Sequence, residues 1–493
     1  MNPQVREVTR DAAARTRRTL RRLSPQWRDV VLYGASATFA AVTAVAVSIP
    51  LYRQWGQMAV GPYAAATAIA AFAAWRWSAS RSRAGDGPAE RARRRSRAAR
   101  IVAFFVVLFG ATLVPLSLEV VWRSEGNAAE HVQPEVVVVE RAGARVAHGK
   151  TPYRVIDRSG HILIHQSDVP VYELYYPYLP GMIIFGLSSG STVEASLTDA
   201  RIQFLVFSVL ITLFALSRLR PSTDARTRAF QTLTVLPTAA LPFATGGDDM
   251  PVVALMLAGL VALQRRRPVL AGLALGAASS LKFTAWPLVV FALWAAFDRS
   301  SRRAVGRYAL GVAAVVAPVV LPVAFSNLSA FVDNVIRFPL GLAGVSSPAA
   351  SALPGHILVS AFPGIHRPYL VVVGVVGGVV LVRHLLRHPP RDPAGVAALT
   401  GWVMLVAILL APATRVGYLL YPINLFVWAW MFGQAEVPAI GGEVAADGGE
   451  TGATVDDRVG ATQFSSSGSW KSSTEYGVTP AAVVGETTTP TSQ

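Results

Sequence analysis

Residues 101–122 read IVAFFVVLFGATLVPLSLEVVW, and the segment just before them carries Arg91, Arg93, Arg94, Arg95, Arg97 and Arg100. A helix crosses a bilayer with about 20 apolar residues, and arginines gather in the loops on the cytoplasmic side of such helices. This pairing predicts a span that begins in the cytoplasm and delivers the following loop to the far side. The same alternation extends in both directions. Upstream, apolar runs at 30–51 and 59–77 are bracketed by Arg15, Arg17, Arg18, Arg21, Arg22 and Arg28 on one side and by Arg81 and Arg83 on the other. Downstream, runs at 201–216, 230–244, 251–263, 269–281, 286–297, 308–325, 369–386, 396–410 and 418–431 alternate with basic loops holding Arg218 and Arg220, Arg265 to Arg267, Arg302, Arg303 and Arg307, and Arg383, Arg387 and Arg391. The expectation is an all-α polytopic membrane protein of about twelve transmembrane helices, a large first extracytoplasmic loop, and both termini in the cytoplasm.

Composition agrees with that class. The chain is 52% hydrophobic and only 15% charged, with a mean hydropathy of +0.42. Its formal charge of +16 sits in short loops between apolar runs, which accounts for it without nucleic acid. Cysteine is absent, which excludes disulfides and thiolate metal sites. No cleavable signal peptide is expected ahead of the first span. Four regions follow: a basic cytoplasmic segment at 1–28, two additional spans and a basic loop at 29–100, a membrane domain at 101–432, and a tail at 433–493. The tail is rich in Gly, Ala, Ser, Thr and acidic residues, lacks apolar periodicity, and is expected to be disordered in the cytoplasm. The run at 181–187 is too short to cross and reads as re-entrant or interfacial.

The outer loop, 123–180, is the one long polar segment between spans. It holds Glu135 and Glu140, then His148-Gly149-Lys150-Thr151-Pro152-Tyr153, and closes on Tyr175-Tyr176-Pro177-Tyr178-Leu179-Pro180. A carboxylate on a helical segment, a turn and an aromatic cluster returning to the bilayer read as a lid over a surface site. Other polar residues fall at the same ends of their spans: Glu119, Asp248 and Asp249 in Thr245-Gly246-Gly247-Asp248-Asp249-Met250-Pro251, Lys282, Arg337, and Arg415 with Tyr418 and Tyr421. Ionisable groups at membrane depth are costly and persist mainly where they pair or line a polar cavity. Lys282, Arg415 and Arg337 suit a phosphate at the bilayer surface, Arg as a planar fork and Lys as a point charge. Glu135, Glu140 and Asp248 are the candidate bases, and Tyr153, Tyr176, Asp249 and Tyr418 the candidate substrate contacts.

Each residue also has a plainer role open to it. Lys282 can snorkel from a helix end, one of Asp248 and Asp249 can cap the next helix, and the tyrosines can form an aromatic belt. Glu119 can be an interfacial carboxylate. His148, His161 and His165 lack metal-ligand spacing, so no metal site or other cofactor is expected, with a divalent ion left open.

In order, these motifs resemble the GT-C membrane glycosyltransferases. An acid stands fourteen positions before the glycine of Gly-x-x-Pro-Tyr, and Tyr176-Pro177-Tyr178-Leu179 follows at the bilayer. Then come Gly-Asp-Asp-x-Pro, the Arg265–Gly276 run leading to Lys282, and Thr414-Arg415-x-Gly417-Tyr418-x-x-Tyr421-Pro422. Over about 101–431 the chain is most similar to glycosyltransferase family 87. The resemblance implies inverting transfer of a hexosyl or pentosyl group, mannose or arabinofuranose first, from a polyprenyl-phosphate donor to a cell-envelope lipid or glycan acceptor on the extracytoplasmic side. It also implies that Glu135 stands where the family commonly carries Asp, with Glu140 as the substitute. The rival readings are a transporter or lipid flippase, against which no internal repeat is visible, and a non-enzymatic assembly factor.

The alternation of arginines yields a direct test. With no native thiol to interfere, a single cysteine at Ser159 should react with an impermeant reagent on intact cells, and one at Ser301 should not. Labelling at Ser301 would reverse the parity.

Overall fold

A computed structural model describes residues 24–434 apart from 82–85, 127–129, 155–168, 191–194, 220–222, 300–301 and 346–347. The expectations for 1–23, for nearly all of the tail, and for Ser159, His161, His165 and Ser301 lie outside the described residues. Those residues form an all-α architecture, with a single β-bridge between Ala350 and Thr414. Of the twelve expected runs, eight are helices long and apolar enough to cross a membrane. The protein is a multi-pass membrane protein.

Helix starts are written in proline and small polar caps. Helix α1, Pro25–Ala46, follows Ser24, whose side chain accepts from the Trp27 amide, and proline at the first turn sacrifices only an amide that has no helical partner. Helix α2, Pro50–Arg81, returns antiparallel, and α3, Asp86–Val107, runs through a π-turn at Leu108–Leu113 into α4, Val114–Glu125. The π-turn loosens the backbone ladder, and the Ala111 carbonyl accepts from Trp55 Nε1 at 3.0 Å. Tyr33, Trp55 and Tyr63 anchor an apolar cluster that continues onto Val235 and Leu236.

The remaining four runs differ from the sequence expectation in length. The run at 230–244 is broken at Pro237 into α7, Thr223–Thr234, and α8, Pro237–Thr245, which come after α5, Pro134–Ala147, and α6, Ala200–Ser217. Helices α9, Met250–Gln264, α10, Pro268–Leu281, and α11, Trp286–Arg299, have only 15, 14 and 14 residues. Helix α9 is buried on almost every side, so it is an interior helix wrapped by longer ones. Arg265 to Arg267 join α9 to α10 through Arg266 at φ +55°. Two helices of nearly equal length joined by a tight turn bring the start of the first level with the end of the second. Around them stand α12, Arg302–Ser326, then α13, Pro354–Ala361, α14, His366–Arg387, α15, Pro393–Leu410, and α16, Leu420–Gln434.

Near the start of α1, an ionic lattice ties the N-terminal helices to α7. Asp29 is buried and pairs with Arg100, at 2.5 Å, and with Arg228. Asp224 accepts from Arg28 at 2.8 Å and from Arg100 at 3.2 Å, and Gln231 bridges Asp29 to the Tyr33 hydroxyl. Removing one partner from such a set strands a buried charge. Asp29→Ala should therefore lower unfolding stability by about 3–5 kcal/mol, read as a drop in the thermal midpoint of the purified protein in detergent.

Candidate active site

Four chain segments meet toward the other end of α1, a helix of 22 residues and about 33 Å in length. The first is α5. Gln133 precedes it in extended conformation, Pro134 opens it, and Glu135 occupies its first turn, where a helix N-terminus favours negative charge. Gly149, at φ +71°, ends the helix in the left-handed geometry glycine tolerates best. Tyr153 is then buried and donates its hydroxyl to the Tyr178 carbonyl at 2.9 Å, which joins the two halves of the loop. Helix α5 itself is packed into the core. Val136, Val139 and Ala142 are core residues, and Gly143 lies so close to the Gly186 backbone that no side chain fits there.

The second segment is the turn after α8. Gly247 has φ +88°, so the chain reverses without a side-chain penalty and presents Asp248 and Asp249 at the head of α9. The third is the break between α10 and α11. Lys282 is extended, with φ −145° and ψ 150°, and the Leu281 carbonyl accepts from the Leu179 amide at 3.0 Å. The fourth carries Arg415, in extended backbone just before Tyr418 and α16.

Lys282 Nζ sits 2.8 Å from Asp248 Oδ2 and 2.6 Å from Asp249 Oδ1, with the Tyr178 ring centroid at 4.9 Å. Asp249 Oδ1 also accepts from the Tyr421 hydroxyl at 2.6 Å, and the Tyr421 hydroxyl oxygen accepts from Thr284 Oγ1 at 2.7 Å. Arg415 Nη1 pairs with Glu135 Oε1. The second oxygen, Glu135 Oε2, is buried and has no hydrogen-bond partner among the described residues. A cavity of about 260 Å3 opens between these groups, walled by Glu135, Asp249, Lys282, Arg415 and Tyr418 and, on its aromatic side, by Tyr172, Tyr175, Tyr178, Phe283 and Phe338. The Tyr175 and Phe338 rings stack at 4.5 Å.

Five expected residues thus line the cavity, and Asp248 holds Lys282 from behind. Others are engaged elsewhere. Glu140 takes two hydrogen bonds from Arg123, at 3.0 and 2.6 Å, and one from the Ala200 amide, so it braces α4, α5 and α6. Arg337 is more than half exposed and pairs with Asp333 one turn away at 2.7 Å. Tyr153 and Tyr176 are buried in the core, the latter with its amide on Asn334 Oδ1. Glu119 is fully buried against His131 at 2.8 Å. Among the described residues no group of three His, Cys, Asp or Glu is placed to hold a metal. Sequence reasoning passed over Gln133, Thr284 and Asn334, because an isolated polar residue beside a helix end carries no signal until its partners are known.

Fold and cavity together define a polytopic α-helical membrane protein with one set of its buried charges gathered around a polar cavity. Residues 184–412 match the model of Glycosyltransferase family 87. The chain therefore carries a glycosyltransferase family 87 domain, which indicates a glycosyltransferase. The match takes in Asp248, Asp249 and Lys282, whereas Glu135 and Arg415 lie outside it on either side. No curated protein and no solved structure matches the chain.

Burial pushes the Asp248 carboxyl up to about 6, against the pull of Lys282 and with repulsion from Asp249 and Glu135. The folded protein thus holds this proton more tightly than the unfolded chain. Its stabilising contribution is present at low pH and is lost as pH rises through about 6. Ionised Asp248 is what grips Lys282, so glycosyl transfer should run the opposite way. It should fall by up to tenfold per pH unit below about 6, and Asp248→Asn should remove that limb from the pH–rate profile.

Proposed function

We propose that the cavity catalyses inverting transfer of a hexosyl or pentosyl group from a polyprenyl-phosphate donor to a cell-envelope lipid or glycan acceptor on the extracytoplasmic face. The observation that carries this reading is Glu135 Oε2, a buried carboxylate oxygen on the cavity wall with no hydrogen-bond partner among the described residues. In this scheme Glu135 takes the proton of the acceptor hydroxyl as its oxygen attacks the anomeric carbon. The bond from that carbon to the phosphate oxygen breaks on the opposite face, and the phosphate leaves with its electron pair. A phosphate leaving group needs charge stabilisation and no general acid.

Arg415 is the cation suited to that task. It lines the cavity beside Glu135, and a guanidinium fork can exchange a carboxylate for a phosphate. The incoming phosphate competes with Glu135 for Arg415, which frees the base as the donor binds. Lys282 faces the same cavity, but two aspartates already hold it. Its role is to fix the aspartate turn and add positive charge behind the phosphate. Tyr418 and the Tyr175–Phe338 stack supply faces for sugar and prenyl chain.

Membranes containing the protein, incubated with radiolabelled polyprenyl-phosphate mannose or polyprenyl-phosphate arabinofuranose, should transfer label into lipid or polymer. Absence of transfer from both, beside transfer from a sugar nucleotide, would overturn the donor class. Glu135→Gln should lower turnover about 10²-fold or more with donor binding retained, and Glu135→Asp should keep part of it. Arg415→Ala should weaken donor binding by about 1.5–3 kcal/mol, the worth of a charge-assisted bond. Unchanged donor affinity would remove Arg415 from the phosphate site.

A further inference from the structure

The N-terminal hairpin of α1 and α2 lies outside the family match, yet one of its side chains bonds to the residue that precedes α5. The Tyr52 hydroxyl, at the head of α2, accepts from Gln133 Nε2 at 2.6 Å. The same nitrogen donates to Thr245 Oγ1 at 3.0 Å, and the Gln133 amide donates to the Thr245 carbonyl at 2.9 Å. Gln133 Oε1 packs on Gly246, where any side chain would collide with it. Gln133 is the residue that precedes α5, and its side chain makes no cap to that helix. It is turned instead toward Tyr52 and the aspartate turn. Glu135 is two residues on, Asp248 three residues beyond Thr245, and the Tyr52 phenol lies within electrostatic range of both Arg415 and Glu135.

We propose that Tyr52 is a positioning residue of the active site: acting through Gln133, it sets the Glu135 carboxylate relative to Arg415 and to the turn that bears Asp248 and Asp249. A helix outside the family match thereby braces two of the segments that carry the cavity's charges. A side chain that acts on two segments at once is suited to this, because the Glu135–Arg415 pair and the Asp248–Asp249–Lys282 set come from parts of the chain that no local turn connects. The effect on turnover rests on the functional reading above, whereas the effect on local backbone opening does not.

The experiment is amide hydrogen exchange and steady-state kinetics on the full chain, comparing Tyr52→Phe with Tyr63→Phe. Tyr63 sits on the same helix and donates a buried hydrogen bond to the Val235 carbonyl at 2.6 Å, so its loss reports a merely structural role. Tyr52→Phe should speed exchange at the amides of Gln133 and Val136 by about five- to tenfold, the worth of one net hydrogen bond. It should lower kcat by a similar factor with KM unchanged in the polyprenyl-phosphate assay. Tyr63→Phe should do neither, and on a Gln133→Leu background Tyr52→Phe should add nothing. Unchanged exchange at Gln133 and Val136, an equal change in both tyrosine variants, or faster exchange with unaltered kcat would each overturn the proposal. If the wild-type chain transfers from neither donor, the exchange result alone decides the positioning, and only the donor reading fails.

Discussion

The buried ammonium of Lys282 between Asp248 and Asp249 constrains more of this structure than any other contact. Three charges nearly removed from solvent cost several kcal/mol each to desolvate and are tolerable only when the geometry is close and the remaining lone pairs are used. Meeting that condition requires α9 and α10 to match in length, Gly247 to reverse the chain, and the helix after Leu281 to stop so that Lys282 stands in extended backbone. Tyr421 then donates to Asp249, and Thr284 donates in turn to the Tyr421 hydroxyl oxygen. The interruption at Lys282 is thus the condition under which a lysine can be held at this depth, and it accounts for the shortness of the interior helices.

The charges of the described residues segregate along the helix axes. At one end, Asp29, Asp224, Arg28, Arg100 and Arg228 form a closed lattice that clamps α1 and α3 to α7. At the other, the Glu135–Arg415 pair and the Lys282 set leave a cavity with an unpartnered carboxylate oxygen. The same ion-pair physics serves a closed set in the first case and an open one in the second. Arg201, fully buried, binds Asp199 and the carbonyls of His131 and Ala244, so the approaches to α5 and to the aspartate turn are held by one guanidinium.

The N-terminal helices are structurally continuous with the family domain. Trp55 bonds to the π-turn, Tyr63 to Val235, and Tyr52 to Gln133. Three aromatic donors and acceptors spaced along α2 fix its register against the rest of the bundle, and register is what brings Tyr52 level with the cavity.

The sequence by itself determined the class and the ingredients. Apolar length and arginine placement are local quantities, so the helices of a multi-pass protein could be read from runs such as 101–122, and the prolines at 25, 134, 268 and 393 mark their starts. The desolvation cost of a charge beside an apolar run is equally local, which made Glu135, Asp248, Asp249, Lys282 and Arg415 stand out. Only the tertiary structure decided who pairs with whom. Glu135 and Glu140 look alike in sequence, yet they are five residues apart on one helix and face different neighbours, Arg415 in one case and Arg123 with Ala200 in the other. Arg337 has the composition of a phosphate ligand, but its own helical turn supplies Asp333 first. Gln133 and Tyr52 are unremarkable as letters because their meaning lies in a hydrogen bond across 81 positions. Proximity of that kind is created by helix packing, which depends on every interface in the bundle at once and on no single stretch of chain.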